Sequence, residues 1–191
     1  MNICVYAASS GCSSEAFTLL ARDLGRTLAR RGHCLVNGAG RTGLMAASAE
    51  GCMEAGGRAV GVIPRFMVEQ GWQHPAMTRL VVTADMHERK ETMARMADAC
   101  IALPGGVGTL EELLEIITWK QLGLFLKPIV VLNAGGYYDP LLAQLDRAVG
   151  ERFMRPVHRG IWRVAATAGE AVRMAEETPL WDSSVRKFAA L

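Results

Sequence analysis

Seven short apolar runs recur along this chain, and most are followed by a stretch with helical periodicity. The runs are "NICVYAA" (2–8), "HCLVNG" (33–38), "RAVGVIP" (58–64), "RLVVTA" (79–84), "ACIALP" (99–104), "KPIVVLN" (127–133) and "IWRVAA" (161–166). Helical patterns fill 14–31, 43–55, 86–97, 109–122, 138–149 and 169–177, while 65–78 is the one long irregular segment. Strands that are apolar at consecutive positions need cover on both faces, which is the condition of a parallel sheet. Their alternation with helices predicts helical layers above and below that sheet. The expected fold is α/β: a Rossmann-like three-layer α/β/α arrangement with a mostly parallel central sheet of about seven strands. At 191 residues the length suits one domain. Residues 1–178 are expected to form a single Rossmann-like domain. The C-terminal tail 179–191 is weakly patterned and expected to be mobile.

Composition excludes several classes. A formal net charge of +2 gives no argument for nucleic acid or a membrane surface as partner. No apolar run approaches the roughly 18 residues of a membrane span. The N-terminus lacks the basic-then-apolar layout of a secretory signal. Five cysteines without a CxxC argue against a zinc site or a disulfide framework. Cys4, Cys34 and Cys100 lie inside strand-like runs and are expected to be reduced core residues. The expected location is cytoplasmic.

In open α/β sheets, ligands bind beyond the carboxyl ends of the strands. Four segments converge there: "AASSG" with Ser9 and Ser10, "GAGRTG" (38–43), "ADMHERK" (84–90) and "PGGVGT" (104–109). "GAGRTG" fits G-x-G-x-x-G, but no acid ends the next strand to hold a dinucleotide's ribose. A tight strand-to-helix turn in which Gly40 contacts a phosphate or ribose is the better reading. "PGGVGT" carries the stronger phosphate signal, because glycine amides and a helix N-terminus both attract anions. It is no P-loop, since Leu110 follows Thr109 where Lys-Ser/Thr order is required.

Two carboxylates follow that turn. Thr109 as N-cap with Glu112 three residues on would make a capping box, and the alternative is a ligand role for Glu112. Leu110, Leu113, Leu114 and Ile117 have core-facing spacing. Ile116 and Trp119 are then expected on an exposed face that meets another subunit. Asp85 is expected to cap the helix 86–97. Arg89 and Lys90 fall in its first turn, where the dipole disfavours cations unless they serve a ligand.

"PGGVGTLEE" (104–112) and "MHERK" (86–90), with "GLM" (43–45), "GVIP" (61–64), "TWKQLG" (118–123) and "NAGGYYD" (133–139), resemble the Lonely Guy family. That family comprises cytokinin riboside 5′-monophosphate phosphoribohydrolases, formerly labelled possible lysine decarboxylases. The resemblance implies a Rossmann-like hydrolase of nucleoside 5′-monophosphates such as AMP, yielding free base and ribose 5-phosphate. It implies Arg89 and Glu112 as the catalytic pair. Substrate would be bound by Met86, Lys90, Gly105, Gly106, Val107, Gly108, Thr109 and Glu111, with Ser9 and Gly40 from the neighbouring loops. It implies no metal or cofactor, and a homodimer or a multiple of dimers. A general purine 5′-monophosphate nucleosidase and a nucleotide-binding protein without turnover are the competing readings. The chain departs from the family pattern at "GAGRTGLMA" (38–46), at "AAS" (7–9) and at Gly71, where an acid is frequent. These departures bear on base selectivity.

Overall fold

The computed structural model describes residues 1–182 and 184. Seven strands form one sheet: β1 (Asn2–Tyr6), β2 (Cys34–Asn37), β3 (Arg58–Pro64), β4 (Arg79–Thr83), β5 (Ala99–Ala102), β6 (Ile129–Leu132) and β7 (Arg163–Ala165). All neighbours pair in parallel, in the order β4-β3-β2-β1-β5-β6-β7. The helices are α1 (Glu15–Arg30), α2 (Gly43–Glu54), α3 (Arg65–Glu69), α4 (Met86–Met96), α5 (Val107–Gln121), α6 (Asp139–Gly150) and α7 (Ala168–Glu177). Short 3-10 turns at Ala134–Gly136 and Pro156–Gly160 flank α6.

Alternate strand residues serve opposite faces, as a pleated backbone demands. Ile3, Val5, Leu35, Ala59, Ile101 and Val130 pack under α1, α2 and α7. Cys4, Tyr6, Val36, Val62, Cys100 and Val131 pack with Met93 of α4, Leu113 and Ile117 of α5, and Leu145 of α6. The three-layer expectation holds: the inner strands β1, β2, β5 and β6 are apolar almost throughout because both faces are covered, while the edge strands β4 and β7 leave Leu80, Val82 and Val164 exposed. Cys4, Cys34 and Cys100 are buried and free.

The chain lays β2, β3 and β4 on one side of β1, then crosses back to lay β5 on the other. The reversal leaves a crevice beyond the carboxyl ends of β1 and β5, where two loops diverge.

Three expectations need correction. Helix α5 begins at Val107, two residues early, with Gly106 rather than Thr109 as N-cap. The capping box therefore does not form, and Glu112 sits in the second helical turn. The buried face of α5 is also rotated: Thr109, Glu112, Leu113, Ile116, Ile117 and Lys120 are buried, while Leu114 is exposed. Ile116 is not a surface residue. Its face turns inward because Glu112 is drawn towards Arg89 of α4.

The tail is the third correction. Trp181 donates its backbone N–H to the Leu126 carbonyl at 2.7 Å and packs against the α4–α6 side of the core. Its ring faces the buried Lys120 ammonium, 5.5 Å from the centroid. Of the tail expected to be mobile, residues 183 and 185–191 lie outside the described residues.

Candidate active site

A cleft of about 620 Å³ opens at the crevice, a size ordinary for a small-molecule site. Ala7 to Ser10 after β1, Gly38, Gly40, Arg41 and Thr42 after β2, and Gly106, Gly108 and Thr109 after β5 form its floor and sides. Ile63, Met67 and Trp72 close the β3 end, and Met86 and Arg89 enter from α4.

The first turn of α5 has no side-chain cap and no acid. Its leading N–H groups have no intrahelical acceptor, and they carry the positive end of a 15-residue helix. Two tyrosines brace the preceding turn. Tyr137 donates its hydroxyl to the Gly105 carbonyl at 2.7 Å, and Tyr138 to that of Leu103 at 2.6 Å. Asn133 fixes the pair by accepting from the Tyr138 N–H and donating to Asp139. The "NAGGYYD" segment is thus a buttress for the glycine turn.

Arg89 and Glu112 form an ion pair at 2.7 Å, with side chains 6% and 7% exposed. Asp85 caps α4 as expected, accepting from the N–H groups of His87 and Glu88. That cap starts the helix so that Arg89 points inward. Arg89 also donates Nε–H to the Val62 carbonyl at 3.2 Å. Gly38 makes room for the guanidinium: a Cβ there would lie 1.9 Å from Arg89 Nη2. Burial pushes the Glu112 carboxyl above its usual range, and the Arg89 charge pulls it only part of the way back. A buried carboxylate held by one arginine beside an open cleft is a usual arrangement for acid–base work.

The neighbouring loop is strained. Ala39 adopts a left-handed backbone, φ 59°, which costs a non-glycine residue roughly 1–2 kcal/mol. Buried Asn37 holds it by accepting the Ala39 N–H at 2.9 Å, while donating to the Met45 carbonyl. This loop is part of the "GAGRTGLMA" stretch in which the chain departs from the pattern of the family it resembles.

Residues 45–175 match the profile of the family described as "Possible lysine decarboxylase". The chain is 45% identical over 187 residues to cytokinin riboside 5′-monophosphate phosphoribohydrolase LOG7 of Arabidopsis thaliana, covering 97% of this chain and 86% of that one. It is 44% identical over 175 residues to the enzyme LOG of Oryza sativa subsp. japonica, covering 92% and 72%. The chain belongs to this family. Among solved structures, the X-ray structure of TM1055 superposes with a TM-score of 0.72 at 28% identity, covering 92% of this chain and 98% of that one. The molybdenum cofactor carrier protein of Chlamydomonas reinhardtii gives 0.70 at 23% identity, covering 92% and 96%, and shares the fold.

The family's decarboxylase label finds no amine in the cleft: among the described residues no lysine lines it. Lys120 is buried, its pKa lowered to about 8 by burial, and it donates to the Lys127 carbonyl at 2.8 Å. Lys127 donates to the Ala97 carbonyl.

Of the residues expected to bind substrate, Ser9, Gly40, Met86, Gly106, Gly108, Thr109 and Glu111 line the cleft beside Arg89 and Glu112. Gly105 lies behind the lining, with its carbonyl on Tyr137. Val107 points outward to solvent. Lys90 turns away from the cleft and pairs with Glu111 and Glu115. The sequence reading missed Arg41, Thr42, Met67 and Trp72. Arg41 and Thr42 lie between the glycines of "GAGRTG", and nothing in their local pattern marks them as cleft-facing. Met67 and Trp72 lie in the unpatterned 65–78 segment, and only the folded contacts bring them to the site.

Proposed function

We propose that the protein hydrolyses the N-glycosidic bond of an adenine-type nucleoside 5′-monophosphate of the cytokinin riboside class, releasing free base and ribose 5-phosphate. One observation carries this reading. A buried Arg89–Glu112 pair shares a cleft with an uncapped helix N-terminus, and Glu112 lies in the next turn of that same helix. The names borne by relatives more than 40% identical agree with it.

The amides of the glycine turn take the 5′-phosphate, as helix N-termini take anions generally. The ribose then extends over Glu112. As the C1′–N bond breaks, its electrons pass to the base and positive charge builds on the ribose. The Glu112 carboxylate stabilises that charge and accepts a proton from the water whose oxygen bonds to C1′. Arg89 holds the carboxylate in place and keeps it ionised against its burial. The departing base takes up a proton from solvent.

A second copy of the chain completes the proposed assembly, a homodimer or a multiple of one. Val107, Leu110, Leu114 and Thr118 line a shallow, largely apolar groove on the outward face of α5. The five free cysteines suit a reducing, cytoplasmic setting.

The test is base release from isopentenyladenosine 5′-monophosphate, AMP, GMP and IMP, followed by chromatography. Adenine-type nucleotides should yield base, and Glu112→Gln should cut that rate by about 10²-fold or more with the fold retained by circular dichroism. Equal rates on GMP and IMP would make the enzyme a general purine nucleosidase. Binding without release from any nucleotide would make it a carrier.

A further inference from the structure

The peptide that joins Gly105 to Gly106 has a glycine on each side. Without a Cβ at either end, φ and ψ range widely, so local sterics do little to fix which way this peptide faces. A side chain at 105 cannot stiffen it, because a Cβ there would lie 2.1 Å from Thr109 Oγ1. The orientation has to be set from outside the turn.

Tyr137 sets it. Its hydroxyl donates to the Gly105 carbonyl at 2.7 Å from 32 residues along the chain. The peptide is trans and planar, so its C=O and N–H point in opposite directions. A carbonyl held back towards Tyr137 turns the Gly106 N–H the other way, and Gly106 lines the cleft while Gly105 does not. Among the described residues, nothing accepts from that N–H. Were the peptide reversed, a carbonyl oxygen would face the cleft and repel an anion there.

The tyrosine is itself clamped. Its ring meets Phe17 of α1 edge-on at 5.6 Å between centroids, and Tyr138 at 5.0 Å. Gly135 and Gly136 take left-handed backbone, φ 61° and 73°, in the turn just before it. The two adjacent tyrosines differ in what they can steer. Tyr138 is 1% exposed, and the Leu103 carbonyl it holds belongs to the peptide of Pro104, which has no N–H to orient. Tyr137 is 42% exposed, so its hydroxyl adds little to the core, yet it holds the one peptide that carries a donor into the cleft.

We propose that Tyr137 is a positioning residue for the phosphate end of the substrate: its hydroxyl locks the Gly105–Gly106 peptide so that the Gly106 N–H is aimed at the 5′-phosphate. The inference rests on the hydrolase reading above and adds the residue that sets the affinity of this cleft for phosphorylated ligands.

Tyr137→Phe keeps the ring and its two aromatic contacts and removes only the hydroxyl. Calorimetry with ribose 5-phosphate, AMP and adenosine reads the effect. Kd for ribose 5-phosphate and for AMP should rise about tenfold, the scale of one hydrogen bond to a charged group, while Kd for adenosine should change less than about twofold. In base release from AMP the loss should fall chiefly on KM, since a phosphate gripped equally in the ground and transition states leaves kcat almost unchanged. Equal weakening of AMP and adenosine would mean that Tyr137 only supports the fold, and unchanged binding of ribose 5-phosphate would mean that the peptide keeps its orientation unaided. Either result would overturn the assignment, as would wild-type protein that binds ribose 5-phosphate no better than ribose. If the wild type binds the phosphorylated ligands but releases base from neither AMP nor isopentenyladenosine 5′-monophosphate, the hydrolase reading fails instead, and the binding comparison still decides the role of Tyr137.

Discussion

Helices α4 and α5 exchange two sets of ion pairs that are neighbours in sequence and opposite in circumstance. Arg89–Glu112 is buried at 2.7 Å, with both side chains under 10% exposed. Lys90–Glu111 and Lys90–Glu115 lie one step around the same helices, and Glu111 is half exposed. Successive helical residues point about 100° apart, so one step takes the cation from the cleft to the flank of α5, where Lys90 meets two partly exposed glutamates. The inner pair is desolvated, and such a pair is held by geometry and the bonds around it rather than by net electrostatic gain. The outer network is only partly solvated: the Lys90 side chain is 11% exposed, while its partners Glu111 and Glu115 are 50% and 30% exposed, so water reaches it from the glutamate side. The chemistry of the site therefore depends on which member of each adjacent couple, Arg89/Lys90 and Glu111/Glu112, faces inward.

The largest effect should come from Glu112→Gln, whose loss of about 10²-fold or more is the benchmark for the inner pair. Gly38→Ala should come next. Its methyl would sit 1.9 Å from Arg89 Nη2 and 3.0 Å from Cζ. Arg89 is tethered by Val62 and Glu112 and must be displaced. Misplacing a catalytic group by about 1 Å can cost up to 10²-fold. Turnover should fall at least about tenfold, while the thermal midpoint moves far less than complete loss of the pair would move it. Unchanged turnover would mean that the Arg89 position is not critical, and the contrast between inner and outer pairs would collapse.

A pH profile sharpens the comparison further. Burial raises the Glu112 pKa above the ordinary 4.5. If its carboxylate is the working form, kcat/KM should fall on the acid side at a pH higher than an exposed glutamate would give. In the window just above 4.5 the folded state binds more protons at this group than the unfolded chain does. Its contribution to stability therefore rises as pH falls through that window. Activity and this stability term move in opposite directions, so the acid limb is not unfolding at this site. Glu112→Gln should erase the limb. A limb that persists in the variant belongs to another group.

Much of this was legible in the sequence, for identifiable reasons. The strands announced themselves because a parallel sheet covered on both faces leaves its inner strands apolar almost throughout, as Val36, Val62 and Val131 illustrate. The start of α5 was misread because glycine is a poor helix former, which pointed to Thr109 as the first residue with a capping side chain. The turn is helical from Val107 because Tyr137 and Tyr138 hold its carbonyls from 30 residues away, and no local pattern encodes that. Arg89 and Glu112 could be named from their motifs, but their inward orientation follows from how α4 and α5 dock. Trp72 could not be placed at all, since the backbone bonds from Arg41 to Trp72 and from His74 to Ala39 put it there.

The smallest expected effect concerns the outer network. Lys90→Met keeps the length and apolar stem of the side chain and removes only its charge. The two glutamate partners of Lys90 stay partly exposed, and pairs that water reaches contribute about 1 kcal/mol, so stability in denaturant should fall by about that amount. Salt should reduce that difference, because the exposed glutamate side of the network is screened within about 10 Å at 0.1 M ionic strength. The inner pair should respond little to the same salt. Turnover decides what the network is for, because Glu111 also lines the cleft. A loss in Lys90→Met that approaches that of Glu112→Gln would make the outer network part of the chemistry. A modest loss that tracks KM would mean that Lys90 only steadies Glu111 at the rim.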